Sequence, residues 1–474
     1  MKLIARQKIW LAVVITANLL LWIIPSDVLE NIVRDRHTLL GRYSREHLWA
    51  MLGLLLFSAV SFYVDWSTGE TYKRRWFQVI ASLMFACPAL LLVDFVTRPP
   101  DRQHYVRDSV AYHRPARFAA SLNYVDRPKA ARSYPNAPGG YPDVACTLTT
   151  DENGYRNRSV PDCCDIIVLG DSFAEGSSVS DEHVWPVLLA RETGLSVYNL
   201  GMSGYAPMHY LASLTEHGLA LHPKIVLCGL YEGNDFRSSK SDRKNAKPGL
   251  SKRAKAYFKQ SPLITALDHW MVSVLGPINS DGAVAGIEML DWLPLTIPPG
   301  PYGKRYAFAP KQLRDMYEPA EQFKVDKHWL NPRRQLEEMN RLCQEAGAGF
   351  IVVYCPLKAH VTLPPVIDSI PAEKIRALLA LRSKQPLPPA DEFVKRLIER
   401  SDDRESVVAQ WCRRERIPFI SLTGPLRDAA CNGTQVYYTY DQHWTPAGHA
   451  AVADEVARFL PKPTAAHARA KGGG

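Results

Sequence analysis

The stretch Ile166-Ile167-Val168-Leu169-Gly170-Asp171-Ser172-Phe173 constrains the fold more than any other part of this chain. Four consecutive apolar residues bounded by polar ones suit a strand buried on both faces of a parallel sheet. The run stops at a Gly-Asp-Ser turn. In open α/β sheets function gathers at that end of a strand, because the following loop and helix N-terminus project backbone N–H groups into a crevice. A serine there is placed to act as a nucleophile, although Gly-Asp-Ser by itself is common turn chemistry. The rest of the chain decides between the two readings.

Beyond residue 146 the pattern alternates between strand-like and helix-like segments. Strands are expected at Ile166 to Leu169, Ser196 to Leu200, Ile225 to Leu230, Phe350 to Tyr354 and Pro418 to Leu422. Helices are expected at Glu182 to Arg191, Met208 to Leu219 and Ala447 to Leu460. Alternation of this kind implies right-handed βαβ units and a parallel sheet covered on both faces, an α/β fold. More than a hundred residues separate the third and fourth strands, too many for one crossover, so an insertion is expected over about 237–345. Within it, Lys240 to Lys259 is densely basic, a solvated loop or a basic lid. Pro262 to Pro277 carries an apolar face suited to packing on the domain or lying at a membrane interface.

Three further motifs fall where a nucleophilic serine would need them. Asn199-Leu200-Gly201-Met202-Ser203-Gly204-Tyr205 follows the second strand, and its glycines let the backbone turn and present N–H groups to an oxyanion. Tyr231-Glu232-Gly233-Asn234-Asp235 follows the third, which lets Asn234 donate its amide into the same crevice. Asp441-Gln442-His443-Trp444 precedes the last helix, where His443 can take the serine proton while Asp441 orients the ring. Each piece alone has a plain structural explanation: a glycine turn, an Asx turn, a helix cap. All four at the carboxyl ends of successive elements point to acyl transfer.

These motifs resemble the SGNH hydrolase superfamily, the GDSL esterases and lipases. The resemblance implies a flavodoxin-like three-layer α/β/α domain over about 146–462. It implies a nucleophile at Ser172, a base at His443, and an oxyanion hole from the N–H groups of Ser172 and Gly204 and the Asn234 amide. The usual family block reads Asp-x-x-His, whereas here Asp441 and His443 are two apart. That D-x-H-W form is similar to the branch containing alginate and cellulose O-acetylation proteins. Asp171 is expected to be a hydrogen-bond acceptor at the turn. Asn153-Gly154-Tyr155-Arg156 and Pro356-Leu357-Lys358 also resemble segments of that branch, which makes Arg156 and Lys358, with Trp444, candidate substrate-binding residues. Surface exposure or a local salt bridge is the alternative for Arg156 and Lys358. Both an esterase and an O-acyltransferase use this machinery, and a non-catalytic glycan-binding protein would be expected to have lost it.

The first hundred residues have a different character. Ile9 to Ile24 and Leu48 to Val64 carry no charge, and Trp76 to Val96 carries only Asp94. Each approaches the roughly 20 apolar residues that cross a bilayer, so three spans at about 9–24, 48–64 and 76–96 are expected within residues 1–98. Leu21-Trp22-Ile23-Ile24-Pro25 has no small-x-small cleavage site, which favours an anchor over a cleaved signal peptide. Basic residues before the first and third runs favour an internal N-terminus, despite four arginines in the first loop. The expected location is therefore the cytoplasmic membrane, with the catalytic domain on its periplasmic, extracytoplasmic side. Three spans are too few for a membrane acyl-donor module, so transfer would require a partner protein that supplies the acyl group. Residues 99–145 read as a linker or arm, and 463–474 as a disordered tail.

The net charge of +9 and pI near 9.0 fit acidic headgroups or an anionic polymer at least as well as nucleic acid, which is not an expected partner. Nine cysteines without a Cys-x-x-Cys pair give no support to a zinc or redox site, and neither metal nor cofactor is expected. Cys228 and Cys355 read as small buried hydrophobes. Cys146 with Cys163 or Cys164, and Cys412 with Cys431, are candidate disulfides for an oxidising compartment.

Overall fold

A computed structural model describes residues 5–23, 38–39, 43–65, 67, 69–97, 105–106, 110–126, 140–236, 261, 263, 266, 293–296, 305–308, 310–380 and 386–460. The chain divides into two compact units, residues 1–102 with 246–289 and residues 103–245 with 290–474.

In the second unit, β1 (Ala119–Tyr124) and β2 (Val144–Thr149) form an antiparallel pair. The central sheet comprises β3 (Ile166–Leu169), β4 (Val197–Asn199), β5 (Ile225–Tyr231), β6 (Gly349–Cys355) and β7 (Phe419–Ser421). Its order is β7-β6-β5-β3-β4, and every pairing is parallel. This is the flavodoxin-type doubly wound order, whose switch point lies between β3 and β5. Ser172 follows β3 directly, so the nucleophile candidate stands where the topology opens a crevice.

Side-chain alternation fills two cores, one on each face. Ile166 and Val168 enter one core, Ile167 and Leu169 the other. On β6, Ile351, Val353 and Cys355 face the first core, while Phe350, Val352 and Tyr354 face the second. A strand with both faces buried needs apolar residues at every position, which is why β3 reads as a continuous apolar run.

All five expected sheet strands are present. The segment expected as an insertion contributes more than a surface excursion, because its last part forms the helix Lys327–Glu345, capped by Asp326 accepting from His328 N. That helix buries Trp329, Leu336, Met339 and Cys343 against the second core. These residues share one face at helical spacing, although charged neighbours and Pro332 obscure the pattern in sequence. Lys240 to Lys259, most of Pro262 to Pro277 and residues 463–474 lie outside the described residues. The expected 99–145 linker also holds regular structure: β1 lies within it and pairs with β2. The strand alternates outward Ala119, Ser121 and Asn123 with inward Ala120, Leu122 and Tyr124, but over only six residues within the expected linker.

The first unit contains helices Ala5–Ile23, Arg45–Asp65 and Gly69–Thr97, which cover the three apolar runs. Asn18 Nδ2 donates to Ser58 Oγ at 3.0 Å between the first two. Among the described residues, no helix is long and apolar enough to cross a membrane. The expectation of three spans gains no support from these helices.

The candidate disulfides are not formed. Cys146, Cys163, Cys164, Cys412 and Cys431 are free thiols. Cys412 is buried in the second core, whereas Cys431 ends a helix whose Leu426 and Ala430 pack into the first. The sheet separates that pair. Cys146 instead donates to Ser178 O at 3.2 Å. Cys228 and Cys355 are buried as expected, and burial raises both thiol pKa values.

An ionic node joins the ends of β5 and β6. Buried Glu232 accepts from Leu357 N at 2.8 Å and contacts His360 Nδ1 at 2.9 Å. His360 Nε2 lies 2.7 Å from Asp402 Oδ1. Burial opposes charge on this ring, but Glu232 and Asp402 outweigh it and raise His360 to about 10. A raised histidine pKa contributes stability that is complete below its unfolded value of about 6.5 and is lost as pH rises through 10. The stability advantage of the wild type over His360→Gln, measured by chemical denaturation, should therefore be full at pH 6 and shrink steadily toward pH 10. An advantage that stays constant over this range would contradict the assignment.

Candidate active site

The turn after β3 is set by Asp171, whose Oδ1 accepts from Phe173 N at 3.0 Å and caps the short helix Ser172–Glu175. This is the acceptor role expected for Asp171. Burial raises its pKa to about 6, against the Phe173 N–H and the His443 charge. Ser172 stands half-buried at the first position of that helix. Among the described residues, no hydrogen bond occupies its backbone N–H.

His443 stands beside the candidate nucleophile. Its Nε2 lies 2.7 Å from Ser172 Oγ, and its Nδ1 lies 2.6 Å from Asp441 Oδ1. Asp441 Oδ1 also accepts from His443 N at 3.1 Å. The two-residue spacing therefore suffices, because the loop curls so that Asp441 reaches both the ring and the backbone of His443. Side-chain exposures of 17 % for His443 and 24 % for Asp441 leave the pair sheltered but reachable. Burial disfavours charge on both, yet their mutual attraction and hydrogen bonding prevail. Asp441 is held well below the usual carboxylate range, and His443 is raised. The arrangement is a serine, a base and an orienting acid in hydrogen-bonded sequence.

The candidate oxyanion side is assembled from the next two loops. Gly201 packs so closely on the short helix that an added Cβ would lie 2.5 Å from Ala174 Cβ. Gly204 adopts φ +81°, the left-handed region that favours glycine. Its N–H likewise has no partner among the described residues. Asn234 Nδ2 donates to Tyr205 O at 3.0 Å, which ties the loop after β5 to the loop carrying Gly204. Ser172, Gly204 and Asn234 thus come from the ends of β3, β4 and β5.

The family model described as "SGNH hydrolase-like domain, acetyltransferase AlgX" matches residues 389–472, which include Asp441, His443 and the last helix. Residues 389–472 are SGNH hydrolase-like. Similar solved structures include a lipolytic protein of the G-D-S-L family from Desulfitobacterium hafniense DCB-2. It is 12% identical, covering 62% of this chain and 98% of its own, with TM-score 0.28. TesA is 14% identical, covering 62% and 97%, with TM-score 0.28. The acetyl xylan esterase AlAXEase is 9% identical, covering 62% and 100%, with TM-score 0.30. No curated protein sequence matches this one.

In this site the three expected substrate-binding residues have other roles. Arg156 is buried; its Nε pairs with Asp181 Oδ1 at 2.6 Å, and its remaining nitrogens donate to the carbonyls of Thr147, Glu175, Gly176 and Val179. Trp444 is fully buried, its ring edge-on to Phe173 at 4.7 Å. Lys358 is also fully buried. Its Nζ donates to the carbonyls of Tyr438, Thr439, Tyr440 and Asp441 at 2.9–3.3 Å. Burial pushes its pKa down to about 7, against Asp126 and Asp441. Chain position alone could not distinguish a lysine aimed into the crevice from one aimed under the loop.

Sequence reading missed several residues of the 103–145 segment and of the turn after Ser172. Asp126 accepts from Tyr141 N, Thr439 N, Tyr440 N and Asp441 N at 2.7–3.4 Å. Glu175 is buried, paired with Arg114 Nε at 2.6 Å, and accepts from Ser203 N at 3.0 Å and from Ser203 Oγ. Tyr112 OH donates to Ser203 O at 3.0 Å. A carboxylate three residues after a candidate nucleophile was the only legible signal.

Two outcomes follow for activity on an acetyl ester. General-base action needs neutral His443, so kcat/KM should rise with pH through a limb above the ordinary histidine value of about 6.5. A limb at or below 6.5 would contradict the raised histidine. Lys358→Met should lower kcat about a hundredfold, the scale of an ångström misplacement, while far-ultraviolet circular dichroism stays native. Unchanged kcat would show that the loop holds its shape without the lysine.

Proposed function

We propose that the chain is a serine esterase acting on O-acyl, principally O-acetyl, esters of a carbohydrate or small ester. The observation that carries this reading is the Ser172–His443–Asp441 hydrogen-bonded series, at 2.7 and 2.6 Å, beside unoccupied N–H groups on Ser172 and Gly204 among the described residues. Ser172 Oγ attacks the ester carbonyl carbon and passes its proton to His443 Nε2. The carbonyl oxygen becomes an oxyanion that accepts from the Ser172 and Gly204 N–H groups and from the Asn234 amide. Collapse breaks the bond to the alcohol oxygen, and His443 returns the proton to that leaving oxygen. Water then attacks the acyl-Ser172 carbonyl by the same sequence, giving the acid and free serine.

A second reading has its own support. The matched family model is described as an acetyltransferase, and a sugar hydroxyl can replace water in the second half-reaction. The acceptor would then be an exported polysaccharide, and an acyl donor would come from a membrane partner. Placement at the outer face of the cytoplasmic membrane belongs to the same proposal. It rests on the three apolar sequence runs and on large apolar side chains left exposed on their helices, among them Ile9, Leu56, Phe77, Met84 and Phe85.

The test is acetyl release from a chromogenic ester by wild type and Ser172→Ala, with and without acetyl-free oligosaccharides. Release abolished by Ser172→Ala and indifferent to acceptor supports the esterase. Acetylated oligosaccharide supports the transferase. Equal behaviour of wild type and Ser172→Ala would remove both.

A further inference from the structure

The segment before the hydrolase-like core supplies a hydroxyl donor to the triad itself. Tyr124 ends β1, and its hydroxyl donates to Asp441 Oδ2 at 2.6 Å across 317 residues of sequence. Asp441 thus has one oxygen on His443 and the other on Tyr124. The ring of Tyr124 lies 4.9 Å from that of Tyr438, in the loop that carries Asp441, at an interplanar angle of 57°. Two residues on, Asp126 takes the N–H groups of that loop. The hydroxyl is therefore held by its own strand end and by an aromatic contact, independently of the hydrogen bond.

We infer that Tyr124 is a positioning residue for the acyl-transfer step: it fixes the Asp441 carboxylate in the plane that His443 Nδ1 requires. The inference rests on the proposed serine chemistry. A charge-assisted O–H···O⁻ bond of this length is among the stronger hydrogen bonds in proteins. It restrains rotation of the Asp441 carboxylate about its Cβ–Cγ bond, and it shares the carboxylate charge that stabilises the imidazolium. The groups facing this pair are few. Asp441 meets His443, Tyr124 and Lys358 Nζ on its carbonyl, Tyr124 also meets Asp126 and the Ser178 side chain, and His443 meets Asp171 and Glu175.

Tyr124→Phe in the full chain keeps the ring and deletes the hydroxyl, with its bonds to Asp441 and Ser178. Expected are a roughly tenfold fall in kcat on an acetyl ester, KM within twofold, and an acidic limb of kcat/KM displaced to higher pH. The displacement follows because the unshared carboxylate stabilises imidazolium more strongly. In an Asp441→Asn background, Tyr124→Phe should have no further effect. An unchanged kcat and limb, or an equal loss in both backgrounds, would overturn the inference. Wild-type turnover that survives Ser172→Ala would instead overturn the serine chemistry beneath it, so the two failures are distinguishable.

Discussion

The site depends on the way one short loop, residues 438–441, is held from two sides. Its carbonyls converge on the buried Lys358 ammonium, and the N–H groups of Thr439, Tyr440 and Asp441 converge on the Asp126 carboxylate. Outside regular ladders each buried polar group must find its own partner; here Ala307 N donates to Thr439 O and Tyr438 N to His443 O, and the other groups are left to side chains. Here a cation and an anion do it together, and the product is a fixed position for Asp441. His443 then follows from Asp441, and Ser172 from the buried end of β3. Removing either ion leaves several buried partners unsatisfied at once, which costs far more than one hydrogen bond.

Such arrangements are expensive in a low-dielectric interior. Full burial drives Lys358 toward the neutral amine, to about 7. Asp126 and Asp441 act against that tendency, so the clamp and the triad share electrostatics as well as atoms. A second buried carboxylate, Glu175, has the same logic on the oxyanion side. It takes the N–H of Ser203, next to Gly204, and is itself neutralised by Arg114. Polar networks of this kind rigidify a site when every member is satisfied. A triad that must hold distances near 2.7 Å benefits from that stiffness.

The fold was legible because its signal is periodic. All five sheet strands carry apolar runs whose two faces are both covered, and their order around β3 places the candidate nucleophile at the switch point. Ser172, His443 and Asp441 were legible for a related reason: they follow strands or precede a helix, where turn residues stand out. Residues that hold the site were not. Lys358, Arg156 and Trp444 were expected to meet substrate on the likeness of their segments to a family branch, and such likeness does not reveal which way a side chain points. All three turned out to be buried and structural. Tyr124 and Asp126 lie in a Pro- and Tyr-rich stretch, and their partners in the site are more than 300 residues away. Long-range polar contacts leave no local pattern. The disulfide expectation failed on similar grounds, since spacing in sequence cannot show that the sheet lies between Cys412 and Cys431.

If Ser172 carries the acyl group between donor and acceptor, the acyl-enzyme should be directly visible. Intact-protein mass spectrometry after brief mixing with an activated acetyl ester, followed by peptide mapping, tests this most directly. The expected result is a transient mass gain of one acetyl group, located on the peptide containing Ser172. It should be absent in Ser172→Ala and longer-lived in Asp441→Asn, where deacylation lacks an oriented base. An acetyl group mapped to another residue, or turnover of the ester with no Ser172-dependent adduct at any time, would contradict it.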